Sequence, residues 1–565
     1  VSEGRGREKF TNPKLLIQIF GTISNVKILI LFCSCLVSSL LLKKLFYYAY
    51  HNQQSYNLLS NQIFTCIKEK SVRHKHITSF QQLPFKLFIF FKINMSALST
   101  SPNQRPVLRV AEPNFSQLEE DFLLKAWRST FVSGAAGHHI QQFEQNFAQK
   151  VAGCKYGVAC CNGTVAIHLA LKALNIQPGD EVFVPDFTYV AAAAAAVVAG
   201  GKVVLIDCDE GGRIDPDAIR AACTSTNTSN TSNTSNTSNT TNTTNTTNTT
   251  NTTTNATNAT NATNKATETK TTESTTPKST LNFTPNSITE SIESSSSRQF
   301  LIAVHLYGHP CDMIEIMKIA NQYNLIVIED CAEAHGAKIN NQYVGSFGNA
   351  ATYSFFANKI MTTGEGGMVC TNDQTLATRV KFLCTHAMDP NQRYYHTEIG
   401  FNYRMSNLLA AVGCAQLERF DELVNGRRQL IEYYRLHLNN VCDLSVNPTF
   451  TNNVTLCPWL ACVFLPNVLM NKRDVICKIL LEQYYIDTRP FFHPMSSMPP
   501  YATCETVTKE GRGNATLGAT RMHQIGFNIP TASDMNMEDQ KYIVDSIKTV
   551  VEGIAKEMAV VEDVV

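Results

Sequence analysis

Net charge is nearly absent from this chain: 48 Lys and Arg stand against 47 Asp and Glu, leaving +1 over 565 residues. That balance offers neither a nucleic-acid surface nor an anionic-membrane surface. Paired cysteines are lacking too. The 18 Cys are scattered and none forms a Cys-x-x-Cys pair. This argues against a small disulfide scaffold and against zinc-ribbon spacing. The thiols read as reduced groups of a cytoplasmic protein without a metal site. A full bilayer span is also missing. Ile28 to Leu42 is an apolar run of 15 residues that carries Ser34, Ser38 and Ser39, where about 20 are needed to cross. What is abundant is apolar residues, 44% of the chain, enough for a large core.

Two stretches depart from the rest. Residues 1 to 94 contain no Met and no Asp, and Ala first appears at Ala49. Lys, Phe, Ile, Leu, Asn and Tyr dominate there, and the first Met is Met95. This composition reads as a translated upstream region, with the protein's own start at Met95. The alternative is a membrane anchor built on Ile28 to Leu42. Residues 223 to 298 repeat Thr-Asn-Thr-Ser and Asn-Thr-Thr with almost no apolar residue. Such a segment cannot bury enough surface to offset chain entropy and is expected to be a disordered surface insert.

The remaining sequence alternates strand and helix patterns. Gln141 to Val151 reads as an amphipathic helix, and Glu181 to Pro185 and Val203 to Asp207 as buried strands. Val165 to Leu174 and Asp215 to Cys223 are helical. After the insert come strand Phe300 to His305, helix Met313 to Tyr323 and strand Leu325 to Glu329. This predicts an α/β domain with a mostly parallel sheet. From about Gly426 the pattern changes: helix Arg427 to Leu438, then Cys457 to Phe464, Arg473 to Tyr484 and Met537 to Ala555 suggest a smaller C-terminal α+β domain. The expected organisation is a large domain in two parts, 95–222 and 299–425, followed by a small domain over 426–565.

Four local signals carry chemistry. In the first, an apolar strand runs from Tyr353 through Ser354 to Lys359 and on to Gly364-Glu365-Gly366-Gly367. A lysine at the end of a buried strand is either solvated or used. Desolvation makes its amine nucleophilic, as Schiff-base chemistry requires. In the second, the apolar strand Leu325 to Ile328 ends in Glu329-Asp330. Ligands of open α/β sheets bind beyond the carboxyl ends of strands. An acid there could pair with a cofactor's pyridine nitrogen, or could simply cap a helix over Cys331 to His335. The third signal, Cys161-Asn162-Gly163-Thr164 before a helix, offers free N–H groups to a phosphate, or is an ordinary capped start. The fourth is Pro185 to Tyr189 after a strand, where Tyr189 could stack on a planar ring or sit in the core.

The ordered set Asn162-Gly163-Thr164, Pro185 to Tyr189, Glu329 to Gly336, Ser354 to Gly367 and Gly400-Phe401-Asn402-Tyr403-Arg404-Met405 resembles the DegT/DnrJ/StrS family of sugar-nucleotide aminotransferases. The resemblance covers roughly 105–222 and 299–555. It implies a fold-type I enzyme with a seven-stranded, mostly parallel sheet in its large domain and pyridoxal 5'-phosphate (PLP) as cofactor. Lys359 would be the Schiff-base lysine and the general base and acid. Asp330 would pair with the ring nitrogen, Glu333 would face the ring hydroxyl, and Tyr189 would stack on the ring. Gly163, Thr164 and Ser354 would hold the phosphate, while Asn402 and Arg404 would reach the site of a neighbouring subunit in a homodimer. Glu333, the Met388 to Tyr394 segment and Arg489 to Pro494 with Met498 to Tyr501 resemble members that aminate GDP-4-keto-6-deoxy-mannose with L-glutamate. Arg489, Phe491, His493 and Tyr501 would then line the sugar-nucleotide side. Two rival readings stay open: a UDP- or dTDP-linked sugar as substrate, or an idle relative with a regulatory or scaffold role. The presence of Lys359, where a dehydratase branch of the family has His, favours transamination.

Overall fold

Short runs rich in β-branched and apolar residues alternate with helices, the pattern of strands buried on both faces. The computed structural model describes residues 105–134, 137–231, 297–439, 441–447 and 453–562. The expectations for residues 1–94 and for nearly all of the Thr/Asn segment lie outside these residues. Contacts divide the chain between Gln104 and Arg105, and the fold described is that of the second unit.

The main sheet uses β1 (Tyr156–Cys160), β2 (Glu181–Pro185), β3 (Lys202–Ile206), β4 (Gln299–Val304) and β5 (Ile326–Asp330). After the small hairpin β6 (Lys338–Ile339) and β7 (Gln342–Tyr343), it continues with β8 (Ala350–Ser354) and β9 (Gly367–Thr371). The seven large strands lie in the order β1-β9-β8-β5-β4-β2-β3. β3, β2, β4, β5 and β8 are parallel, and β9 alone runs against its neighbours. The expected seven-stranded, mostly parallel sheet is therefore present, and it is longer than expected. β14 (Glu505–Thr508) adds parallel to β3 and β15 (Gly511–Arg512) closes a hairpin on it, giving nine strands. Ion pairs fasten this addition: Arg512 to Glu181 and Glu505, and Lys202 to the same two carboxylates.

A second core gathers Leu430, Tyr434, Val446, Val463, Ile476, Leu480, Phe527 and Ile547. It lies on a four-stranded antiparallel sheet of β10 (Ser445–Val446), β12 (Ala461–Phe464), β16 (Gly526–Ile529) and β13 (Arg489–Pro490), in that order. β11 (Val454–Thr455) pairs with β6. The helices that cover this sheet are Phe420–Leu438, Arg473–Tyr484 and Met537–Glu562. Met313–Tyr323 and Arg473–Tyr484 form with the expected bounds. The helix expected to end at Cys223 continues to Thr231, into the first Thr/Asn/Ser residues. Extending an existing helix is cheap compared with nucleating one. No helix among the described residues is long and apolar enough to cross a membrane, and their cysteines are free thiols.

The parallel arrangement decides where chemistry can occur. Cys160, Pro185, Val304, Asp330 and Ser354 are the last residues of five co-directional strands. The residues that follow each of them emerge along one edge of the sheet.

Candidate active site

The lysine turn is built first by β8. Ala350–Ser354 is buried along its whole length, and Lys359 sits in a turn whose N–H donates to the Phe356 carbonyl at 2.9 Å. Its side chain is only 11% exposed and its Nζ lies 3.1 Å from Glu333 Oε1. The same Nζ stands 3.8 Å from the centre of the Trp459 ring. A counter-charge and a π face each offset part of the cost of burying an ammonium. Lys359 is thus not a solvated turn residue.

Asp330 ends β5 and is buried. One of its oxygens accepts the Ala332 N–H at 3.0 Å. That is the cap-like turn expected of it, but Cys331 to His335 forms turns rather than a helix. Burial pushes the Asp330 carboxyl up to about 6, with Glu333 adding to the rise, and the Ala332 N–H and Lys359 opposing it. Glu333 is held from the other side by the Tyr307 N–H, 2.8 Å from Oε2. Tyr307 adopts φ 54° and ψ 16°, a left-handed conformation that costs a non-glycine residue about 1–2 kcal/mol. In return it turns its N–H to Glu333 and stacks its ring on Phe492 (5.5 Å, 7°) and Trp459 (6.2 Å, 18°).

Behind Asp330 lies a buried knot. Glu329 accepts the N–H groups of Gly345, Phe347 and Gly348 at 2.7–2.8 Å. It also faces His305 Nε2 at 3.2 Å. His305 Nδ1 accepts the Cys311 N–H, so its proton is on Nε2. With Cys331, these side chains come within 4.8 Å of one another, as metal ligands would. The carboxylate oxygens of Glu329 and Nδ1 of His305 are already committed to amides, so the cluster reads as support for β5.

The third part is a helix start. Asn162 caps Gly163–Ala173 through the Val165 N–H. β9 brings Gly367 opposite both Cys160 and Ser354. A Cβ on Gly163 would stand 2.7 Å from Ser354 Cβ, and one on Gly367 would stand 2.3 Å from the Asn162 carbonyl oxygen. Only glycines let the helix start close onto the end of β8. The product is a cradle of free N–H groups at the positive end of an 11-residue helix, with the Ser354 hydroxyl beside it. Thr164 is exposed at this start.

The remaining expected residues divide. Tyr189 is 56% exposed, with its ring 5.7 Å from Phe492, so it is a surface aromatic and not a core one. Asn402 and Arg404 are hydrogen-bonded to each other. Their segment runs along the end of β1, where Arg404 bridges Cys160 and the Tyr403 carbonyl accepts the Cys161 N–H. Arg489 is exposed on β13. His493 is exposed, its ring 3.9 Å from that of His523. Phe491 and Tyr501 depart from expectation, because both are buried in the main core. Phe491 packs so tightly that a Cβ on Gly526 would meet its ring at 1.9 Å. It backs the site as a wall and stacks on Tyr307 at 5.0 Å, while its neighbour Phe492 contacts both Tyr307 and Tyr189. Tyr307, Trp459 and Phe492 are the site residues that sequence reasoning missed. A signal for the first existed in Val304-His305-Leu306-Tyr307-Gly308, which follows a buried strand next to β5.

His335 is fully buried beneath this centre, with Nε2 3.0 Å from the Ser354 carbonyl. Burial, aided by the charges of Lys359 and Arg427, lowers its imidazole to about 3. The unfolded chain therefore binds a proton at His335 that the folded chain refuses between pH 6.5 and 3. Its contribution to stability is present above pH 6.5 and is lost as pH falls through that window. In His335→Gln the slope of stability against pH between 4.5 and 6.5 is expected to be shallower by up to about 1.4 kcal/mol per pH unit. Denaturant titrations of both proteins at matched pH check this. Identical slopes would contradict it.

A sequence profile described as the DegT/DnrJ/EryC1/StrS aminotransferase family matches residues 117–230 and 244–548. The chain is 34% identical over 446 residues to GDP-perosamine synthase of Caulobacter vibrioides, covering 79% of this chain and 98% of that protein. It is 30% identical to the putative pyridoxal phosphate-dependent aminotransferase EpsN of Bacillus subtilis, over 77% of this chain and 94% of that one. Among solved structures, an aminotransferase from Psychrobacter cryohalolentis superposes with a TM-score of 0.60 at 26% identity, over 79% and 99% of the two chains.

Proposed function

The chain belongs to the DegT/DnrJ/EryC1/StrS aminotransferase family, and from that membership we propose that it moves an amino group from L-glutamate to C4 of a nucleotide-linked 4-keto-6-deoxy sugar, converting GDP-4-keto-6-deoxy-mannose to GDP-perosamine. It is a PLP-dependent aminotransferase. The observation that carries the reading is the convergence of Lys359, Glu333 and Asp330 on the sheet edge that also ends in the Gly163/Ser354 cradle.

The residues fit the cofactor. The cradle, closed to any Cβ at Gly163, suits a phosphate. The buried acid Asp330 suits a protonated pyridine nitrogen, and the desolvated amine of Lys359 suits an aldehyde. When bound, PLP supplies an electron sink for the carbon that loses a proton. Lys359 Nζ takes that proton from the α-carbon of the amino donor, and in the second half-reaction delivers one to the sugar carbon that gains nitrogen. Asp330 holds the positive charge at the ring nitrogen. Glu333 holds the amine whenever it is free, and Tyr307, by its strained N–H, keeps Glu333 aimed. Gly163, Thr164 and Ser354 hold the phosphate, and Tyr189 covers the ring. Asn402 and Arg404 complete a neighbouring subunit's site in a homodimer. Arg489 and His493 face the sugar nucleotide, with Phe491 and Tyr501 behind them.

The GDP-linked sugar is supported by the similarity to GDP-perosamine synthase. Such an amino sugar would serve polysaccharide assembly. Offering GDP-, UDP- and dTDP-linked 4-keto-6-deoxy sugars with glutamate tests the choice. Amination of the GDP sugar at least about tenfold faster than the others is expected, a difference of the size one pocket contact provides. Preference for a UDP or dTDP sugar would overturn the assignment.

A further inference from the structure

Three successive carbonyls of the lysine turn are held by side chains from far along the chain. The Asn358 carbonyl accepts the Trp459 indole N–H at 2.6 Å. The Lys359 and Ile360 carbonyls face the two terminal nitrogens of Arg427 at 3.4 and 3.5 Å. Arg427 is 2% exposed. Among the described residues it has no carboxylate within ion-pair distance, and its Nε has no partner. A buried guanidinium without a direct ion-pair partner, the Asp534 carboxylate acting only from longer range, is costly, and an apolar side chain of similar length would fill the space without that cost. Its polar contacts go to the lysine turn. The next residue, Arg428, donates to the Leu456 carbonyl at 2.9 and 2.7 Å, three positions before Trp459. One turn of the Phe420–Leu438 helix thus grips the lysine turn with one arginine and the tryptophan segment with the other.

We propose that Arg427, together with Trp459, is a positioning residue that fixes the direction of the Lys359 amine. The inference rests on reading Lys359 as the cofactor lysine. Three consecutive peptide units leave the turn little freedom, and the long lysine side chain inherits its aim from them. Trp459 acts twice, since its N–H fixes the Asn358 carbonyl while its ring lies under the ammonium. Small errors in the aim of a reacting group are expensive: about 1 Å can cost a hundredfold in rate.

The test uses the full chain loaded with PLP and compares Arg427→Met, Arg427→Lys and Trp459→Phe. Borohydride followed by peptide mass analysis reports whether the cofactor is fixed on Lys359. Visible circular dichroism reports its orientation, and a single turnover with glutamate reports the rate. Arg427→Met is expected to keep the cofactor on Lys359, to alter the visible dichroic band and to slow the half-reaction about tenfold to a hundredfold. Arg427→Lys, which keeps the charge and a donor, is expected to recover most of that loss. An unchanged band and a rate within about twofold in Arg427→Met would overturn the proposal. If that variant fails to fold, Trp459→Phe decides: a changed band with a slower turnover supports the proposal, and no change in either overturns it. Failure of the underlying reading is a separate result, in which borohydride fixes no cofactor on Lys359 in the unsubstituted protein.

Discussion

Lys359→Ala is expected to lower turnover by about four orders of magnitude while leaving the protein folded. Two losses combine. The substitution removes the amine that would hold the cofactor covalently, and it removes the base and acid that would carry the proton in each half-reaction. The cradle at Gly163 and Ser354 and the carboxyl of Asp330 remain, so PLP should still bind, without being fixed by borohydride. The fold has its own response. Glu333 loses its ion pair but keeps the Tyr307 N–H. A buried carboxylate half-deprived of partners costs about 1–3 kcal/mol, which thermal unfolding of the cofactor-free protein would register as a lower midpoint. Steady-state assays with glutamate and keto-sugar supply the main readout. Activity within about tenfold of the unsubstituted protein would remove Lys359 from the chemistry.

The second large effect is expected at Asp330. Replacing it by Asn keeps an oxygen for the Ala332 N–H and removes the charge that would face the ring nitrogen. Turnover is expected to fall about 100- to 1,000-fold, the usual size for loss of one preorganised electrostatic contact. Stability should move the opposite way. Burial raises the Asp330 carboxyl to about 6 in the cofactor-free protein. Between pH about 4 and 6 the folded chain therefore keeps a proton that the unfolded chain has released, and stability falls as pH rises across that window. Above pH 6 the full cost of the buried carboxylate is present, up to about 3 kcal/mol for two pKa units. Cofactor-free Asp330→Asn should thus be as stable as the parent or more stable at pH 7, with the advantage gone at pH 4. Denaturant melts at the two pH values, beside a turnover assay, test both halves. A variant that is less stable at pH 7 and still active would contradict the account of Asp330.

The elements that were legible in the sequence are those with strong punctuation. Pro178-Gly179-Asp180 and Pro185 frame β2, and Asp312 and Asn324 frame the Met313–Tyr323 helix as N-cap and left-handed C-cap. β14 and β15 carried no such mark. Their Glu505 and Arg512 are held to the large sheet by Lys202 and Glu181, partners more than 300 positions earlier in the chain. Within the site, Lys359, Asp330, Glu333, Ser354 and Gly163 were visible because each ends or follows a strand whose apolar run announces it. Tyr307 also follows a strand, but its value lies in a positive φ and a backbone N–H, neither of which a side-chain pattern displays. Trp459 and Arg427 act across the fold on backbone carbonyls, and no local motif records that. Phe491 and Tyr501 show the converse. An aromatic in a Pro-rich stretch reads as a ligand contact, yet both rings are core, and the sequence holds no term that separates the two uses.

The central claim, that Lys359 and the groups around it carry PLP-dependent amino transfer, is tested most directly by an absorption spectrum of the full chain loaded with PLP, before and after glutamate. The account predicts a visible band that converts to the amine form of the cofactor with glutamate and returns when a nucleotide-linked keto-sugar is added. A protein that takes up no PLP, or whose band is indifferent to glutamate, would contradict it.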